Sequence, residues 1–119
     1  MAVVSQLELP GSPSEQASYA VITYYWNPAQ TGDLASGETV TNPGAKVLQY
    51  DPRFPWDTVD VTATTLAAGS PFVGTGAYAA EVGVTVQDLV PGYEYRVELW
   101  FTASGGHTPG RFFRVRCLV

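Results

Sequence analysis

The last thirty residues constrain the fold most. From Tyr93 onward, Tyr93, Tyr95, Val97, Leu99 and Phe101 alternate with Glu94, Arg96, Glu98, Trp100 and Thr102. Side chains of an extended chain point to opposite faces in turn, so this period of two predicts a strand with one apolar face and one polar face. The stretch Ser104-Gly-Gly-His-Thr-Pro-Gly110 predicts a turn, since glycine supplies positive φ and proline fixes its own. Alternation then resumes over Arg111–Leu118, with Phe113, Val115, Cys117 and Val119 on the apolar side and Arg114 and Arg116 on the other. Two strands joined this way, and entered through the corner Leu89-Val-Pro-Gly92, predict antiparallel pairing with a ladder of Glu and Arg outside. A tyrosine shortly after such a corner, Tyr93 or Tyr95, has the position from which a phenol bonds backbone a few residues upstream.

Upstream segments follow the same rule. Residues 19–27 are β-branched and aromatic (Tyr-Ala-Val-Ile-Thr-Tyr-Tyr-Trp-Asn) and read as a strand, with Tyr24 and Trp26 on one face and Tyr25 on the other. Glu38–Thr41 and Ala45–Tyr50 read as two short strands split by a turn at Asn42-Pro-Gly44. Residues 51–57 carry two prolines, which remove ladder donors and exclude a central strand. Thr58–Leu66 and Ala79–Gln87 alternate again, separated by a glycine-rich loop. Residues 1–18 alternate weakly before Pro10-Gly-Ser-Pro13 breaks them, and read as an N-terminal arm or edge strand. No segment has an apolar period of 3.6. About seven short strands spaced by turns predict an all-β, Ig-like or fibronectin-like antiparallel β-sandwich over residues 19–119.

Composition narrows the function classes. A chain of 119 residues is one domain, able to build a core without disulfides or metals. Charged residues are 14% of it, against the ~25% typical of soluble domains. Net charge is −5 with a single lysine, which argues against nucleic-acid binding, because phosphate contacts need a broad basic surface. Four of the six basic residues, Arg96, Arg111, Arg114 and Arg116, lie in the last two strands, so a small basic patch is expected there. No run reaches the ~20 apolar residues of a membrane helix and no secretory leader is evident, so a soluble, cytoplasm-made chain is expected, with no membrane partner. A starting Met and a terminal strand predict a complete gene product rather than an excised module.

Chemistry-bearing residues are sparse. Cys117 is the only cysteine and His107 the only histidine, too few for a zinc site, and Cys117 is expected as a small buried apolar residue. Neither Gly11-Ser-Pro nor Ala103-Ser-Gly has the context of an activated serine, and His107 reads as a turn residue. Asp51, Asp57 and Asp60 match no compact calcium loop. No catalytic residue, metal or cofactor is expected. Aromatic residues are the remaining candidates: Phe54-Pro-Trp56 and Pro71-Phe-Val73 place rings on irregular loops, where sandwich domains put binding residues. With Trp100, Arg96, Arg114 and Arg116 on the outer face of the last hairpin, Phe54, Trp56 and Phe72 complete the expected partner-binding set.

Three stretches carry a resemblance: Leu34-Ala-Ser-Gly-Glu-Thr-Val-Thr41, then Gly92-Tyr-Glu-Tyr-Arg-Val97, then Thr102-Ala-Ser-Gly105 leading into Arg111-Phe-Phe-Arg-Val115. Together they resemble the small Ig-like virion proteins of tailed bacteriophages, over roughly residues 24–119. That group often has Gly-Gly before the tyrosine strand, whereas here Val90-Pro-Gly92 stands there. The resemblance implies a non-enzymatic structural protein made in the host cytoplasm and located in the virion. It would dock in multiple copies on tail or head as a fibre–tail adaptor, with other virion proteins and copies of itself as partners. A capsid decoration protein is the near alternative, and a fibronectin-like protein- or carbohydrate-binding module the distant one.

Overall fold

The computed structural model describes residues 7–119. Eight strands form among them: β1 (Ser14–Glu15), β2 (Ile22–Trp26), β3 (Val40–Tyr50), β4 (Thr58–Asp60), β5 (Phe72–Val73), β6 (Val82–Val86), β7 (Glu94–Ala103) and β8 (Gly110–Arg116). They make two packed sheets, one of five strands in the order β1-β8-β7-β3-β4 and one of three in the order β2-β6-β5. The chain is thus an all-β, sandwich-like domain, with one helical turn, α1 (Thr62–Thr65), and one short 3-10 turn at Gly76–Tyr78.

The alternation sets which side chains meet between the sheets. Val47 of β3, Tyr95, Val97, Leu99, Phe101 and Ala103 of β7, and Phe113 and Val115 of β8 line one inner face. Trp26 of β2 and Val82, Val84 and Val86 of β6 line the other, and Leu34, Leu89 and Cys117 close the ends. Each fully buried Val, Leu or Phe contributes about 1.5–3 kcal/mol relative to exposure, so this layer holds the sheets together. The corner tyrosine is Tyr95: the Val90 amide donates to its Oη at 2.7 Å, while Tyr93 is exposed.

Three local expectations need correction. The turn expected at Asn42-Pro-Gly44 is a β-bulge inside one continuous strand. Thr41 faces Thr102 and Gly44 faces Trp100, so β3 carries one residue more than β7 between these pairs. Asn42 absorbs it at φ 49°, a region that asparagine tolerates. The strand expected over Thr58–Leu66 stops at Asp60. The Asp60 Oδ1 accepts from the Thr62 amide at 3.0 Å and from its hydroxyl at 2.6 Å, and the hydroxyls of Thr64 and Thr65 donate back to the Val61 carbonyl. Short polar side chains that bond their own backbone turn the chain out of a ladder.

The pairing is also not wholly antiparallel. β1 runs parallel to β8, with Ser14 beside Val115 and Glu15 beside Arg116, and Glu8 makes a further parallel bridge to Phe112. The link from β1 to β2 crosses from one sheet to the other, so no hairpin imposes antiparallel direction. Backbone bonds from Leu9 to Phe112 (2.7 Å), Gln16 to Arg116 (2.9 Å) and Ser18 to Val119 (2.7 Å) hold the segment along β8. Of the expected arm, residues 1–6 lie outside the described residues.

Candidate docking surfaces

The loop between β3 and β4 is built to hold two rings in solvent. Asp51 accepts from the Arg53 amide at 2.9 Å, and its carboxylate takes the guanidinium in a fork at 3.1 and 2.7 Å. Two successive turns follow, Phe54 N–H to Asp51 O at 2.8 Å and Asp57 N–H to Phe54 O at 3.0 Å. Pro52 and Pro55 each fix one φ within these turns. The Arg53 side chain, with the Arg53 amide, holds the Asp51 carboxyl down at about 2. Phe54 and Trp56 stand at the tip, edge to face with centroids 5.8 Å apart, and Arg53 lies 5.7 Å from the Phe54 ring. Trp56 is 76% exposed and Phe54 49%.

Pro55 of this tip borders the outer face of the large sheet, where it lines a cavity of about 390 Å³ with Leu48, Tyr50, Arg96, Glu98 and Arg114. The arginines here do not form a free basic patch. Arg96 bonds Glu98 at 2.9 Å, Arg114 bonds Glu8 at 2.6 Å and Arg116 bonds Glu94 at 2.9 Å. Arg96 faces Arg114 directly across the ladder, and these carboxylates offset that repulsion. The Arg114 hydrogen bond holds the Glu8 carboxyl below its ordinary value, against a smaller opposing effect of burial; Ser12 also donates to it. The Arg96 guanidinium lies over the Phe112 ring at 3.8 Å, a cation–π contact that accounts for a phenylalanine nearly buried on an outer face.

Trp100 lies across Gly44, where an added Cβ would sit 2.1 Å from the indole Nε1. The bulge therefore brings a bare backbone under the ring, and Trp100 is half-buried rather than a free anchor. Phe72 belongs to a different surface. On the outer face of the small sheet it meets Tyr25 edge to face at 6.0 Å, and Tyr25 stacks on Tyr78 at 3.9 Å. These rings cover Gly83, at which a Cβ would come within 2.5 Å of Phe72. Of the expected partner-binding residues, Arg96, Arg114, Arg116 and Trp100 share the outer face of the large sheet, with Arg116 level with Tyr50 and Trp100 at the opposite end. The Phe54–Trp56 tip reaches this face through Pro55, while Phe72 is on the other sheet.

A larger cavity, about 560 Å³, was not expected from sequence. It opens between the sheets on the side where β1 and β2 lie, and its wall includes Leu9, Pro10, Tyr24, Trp26, Gln30 and Phe113. It takes residues from three separated stretches, 8–14, 24–31 and 111–113, so no local pattern reports it. At its rim Arg111 forks onto Asp33 (2.8 and 3.1 Å), and Trp26 Nε1 donates to Thr31 Oγ1 at 2.9 Å.

The other chemistry-bearing residues have structural partners. His107 sits at its turn with Nδ1 3.5 Å from Glu38 and Nε2 3.2 Å from the Asp33 carbonyl. Cys117 is buried, and burial pushes its thiol up. Among the described residues no group of three or more His, Cys, Asp or Glu is placed to hold a metal ion, and no helix is long and apolar enough to cross a membrane. No protein-family model matches this chain, and neither the curated proteins nor the solved structures contain a match to it.

Proposed function

We propose that the chain is a non-enzymatic docking domain of a tailed-phage virion, an Ig-like sandwich that seats on tail or head in several copies. The observation that carries this reading is the Phe54–Trp56 tip. Large rings left in solvent on a loop held by a carboxylate fork and two turns lose little conformational freedom when a partner covers them. Tryptophan in this setting is a preferred hot-spot residue. The Ig-like assignment is supported by the five-plus-three sheet order, by the parallel first strand beside the last, and by the tyrosine corner at Tyr95.

The stretches behind the phage resemblance also meet in space. Glu38 accepts from the Gly105 amide at 3.1 Å, Thr39 N–H donates to Ser104 Oγ at 3.0 Å, and Ser104 N–H donates to the Thr39 carbonyl at 3.0 Å. These residues pin the β2–β3 connection to the last hairpin. Mass spectrometry of particles purified from the host that carries the gene tests the location. The chain is expected in stoichiometric amounts with tail or head proteins; its absence from intact particles contradicts the proposal.

A further inference from the structure

The docking reading leaves open what the tip binds, and the molecule carries both a knob and a hole. We propose that the Phe54–Trp56 tip of one copy seats in the 560 Å³ cavity of the next, so that copies join head to tail. This inference rests on the tip being a docking element and names its partner as a second copy of this chain.

The two surfaces match in part. The cavity is apolar at Leu9, Pro10 and Tyr24, with Trp26 and Phe113 nearly covered behind them, and it opens outward. Its rim is polar at Glu8, Ser12, Asn27 and Arg111, which suits an indole that keeps a polar N–H. An indole needs an acceptor for its N–H when it is covered. Gln30 at the cavity is exposed, and its side-chain amide bonds nothing among the described residues, so its Oε1 is available to accept. The knob stands beside Pro55 over the outer face of the large sheet, whereas the hole opens between the sheets at β1 and β2. Because the two surfaces differ, the contact is heterologous, and repetition makes a ring or a chain of copies rather than a closed pair.

Area sets the strength. A fully buried aromatic side chain covers about 150–250 Å²; with Trp56 76% and Phe54 49% exposed, the two rings bring roughly 200–300 Å², well below the about 800 Å² per partner of a standard interface. One contact is therefore weak in solution, and copies arranged round a symmetric particle gain from avidity.

Sedimentation equilibrium over a concentration series rising to about millimolar tests this, with circular dichroism to establish that each variant is folded. The wild-type average mass is expected to rise with concentration. Trp56→Ala removes the knob and is expected to weaken association at least about 30-fold, the factor that matches a hot-spot loss of 2 kcal/mol. Gln30→Arg, at an exposed loop position, replaces the acceptor by a donor-only cation at the hole and is expected to weaken it similarly. An equimolar mixture of the two variants retains one intact knob and one intact hole, and is expected to form dimers and nothing larger. A wild type that stays monomeric, either variant associating like wild type, or a mixture no more associated than its components overturns head-to-tail docking. If the wild type stays monomeric while Trp56→Ala is lost from particles, the tip docks on a different protein, and only the self-docking inference fails.

Discussion

Gln16 is a buried polar residue whose side chain is fully used. Its Nε2 donates to the carbonyls of Val86 (2.7 Å) and Ala20 (3.1 Å), and its Oε1 accepts from the Tyr24 hydroxyl at 2.8 Å. The residue stands beside β1 of the large sheet and reaches β6 and β2 of the small one, so it ties the sheets together. Gln16→Leu would strand a phenol and two carbonyls, and a loss of about 2–4 kcal/mol is expected in urea unfolding. The Tyr24 phenol is pushed up to about 12 by burial. A raised pKa means that the folded state holds the proton more tightly. The associated stability is fully present below pH 10 and lost as pH rises through about 12. Tyr24→Phe should lessen the fall in stability over that range, leaving the part due to Tyr50 and Tyr95, whose phenols burial also pushes up. At Gly44 even one methyl collides with the Trp100 indole, so Gly44→Val is expected to cost about 1–3 kcal/mol and to shift Trp100 fluorescence.

β1 and the preceding segment depend on side-chain pairing more than on burial. Arg114 holds Glu8 through a 2.6 Å ion pair and donates its amide to Ser12, while Leu9 bonds the Phe112 carbonyl. A depressed carboxyl contributes stability above its unfolded value near 4.5, and this is lost as pH falls through the lower folded value. The Leu9 amide should therefore lose hydrogen-exchange protection on acidification below about pH 4.5, after correction for intrinsic exchange, and Glu8→Gln should remove the pH dependence. Long strands with strict alternation, β7 and β8 above all, were legible from sequence because period two leaves no competing structure. The β3 bulge was not, since Asn-Pro-Gly is chemically suited to both a turn and a positive-φ bulge, and only the β7 register decides. The end of β4 was hidden by alternation that continues through Val61 and Ala63 while threonine and aspartate hydroxyl and carboxylate groups bond the local backbone. Of the docking set, Phe54 and Trp56 were legible because prolines excluded a strand there. The Glu/Arg ladder that pairs Arg96 with Glu98 and Arg116 with Glu94 was legible too, but the pairing of Arg114 was not, because Glu8 comes from more than a hundred residues away.

For the whole molecule, the net charge of −5 and the paired arginines leave no broad basic surface among the described residues, and large rings are among its exposed groups. Among those residues, the tip on the β3–β4 loop and the Tyr25–Tyr78 stack on the small sheet are the two exposed surfaces where rings pack against each other. In the proposed function the tip, and not the arginine array, is the docking element. Competitive incorporation tests it most directly: particles assembled from equimolar wild type and Phe54→Ala/Trp56→Ala, both verified as folded, with the two forms counted by mass spectrometry. The double variant is expected to be depleted at least about 30-fold, as for loss of a hot spot. Equal incorporation of the two forms would show that the tip is not the docking element.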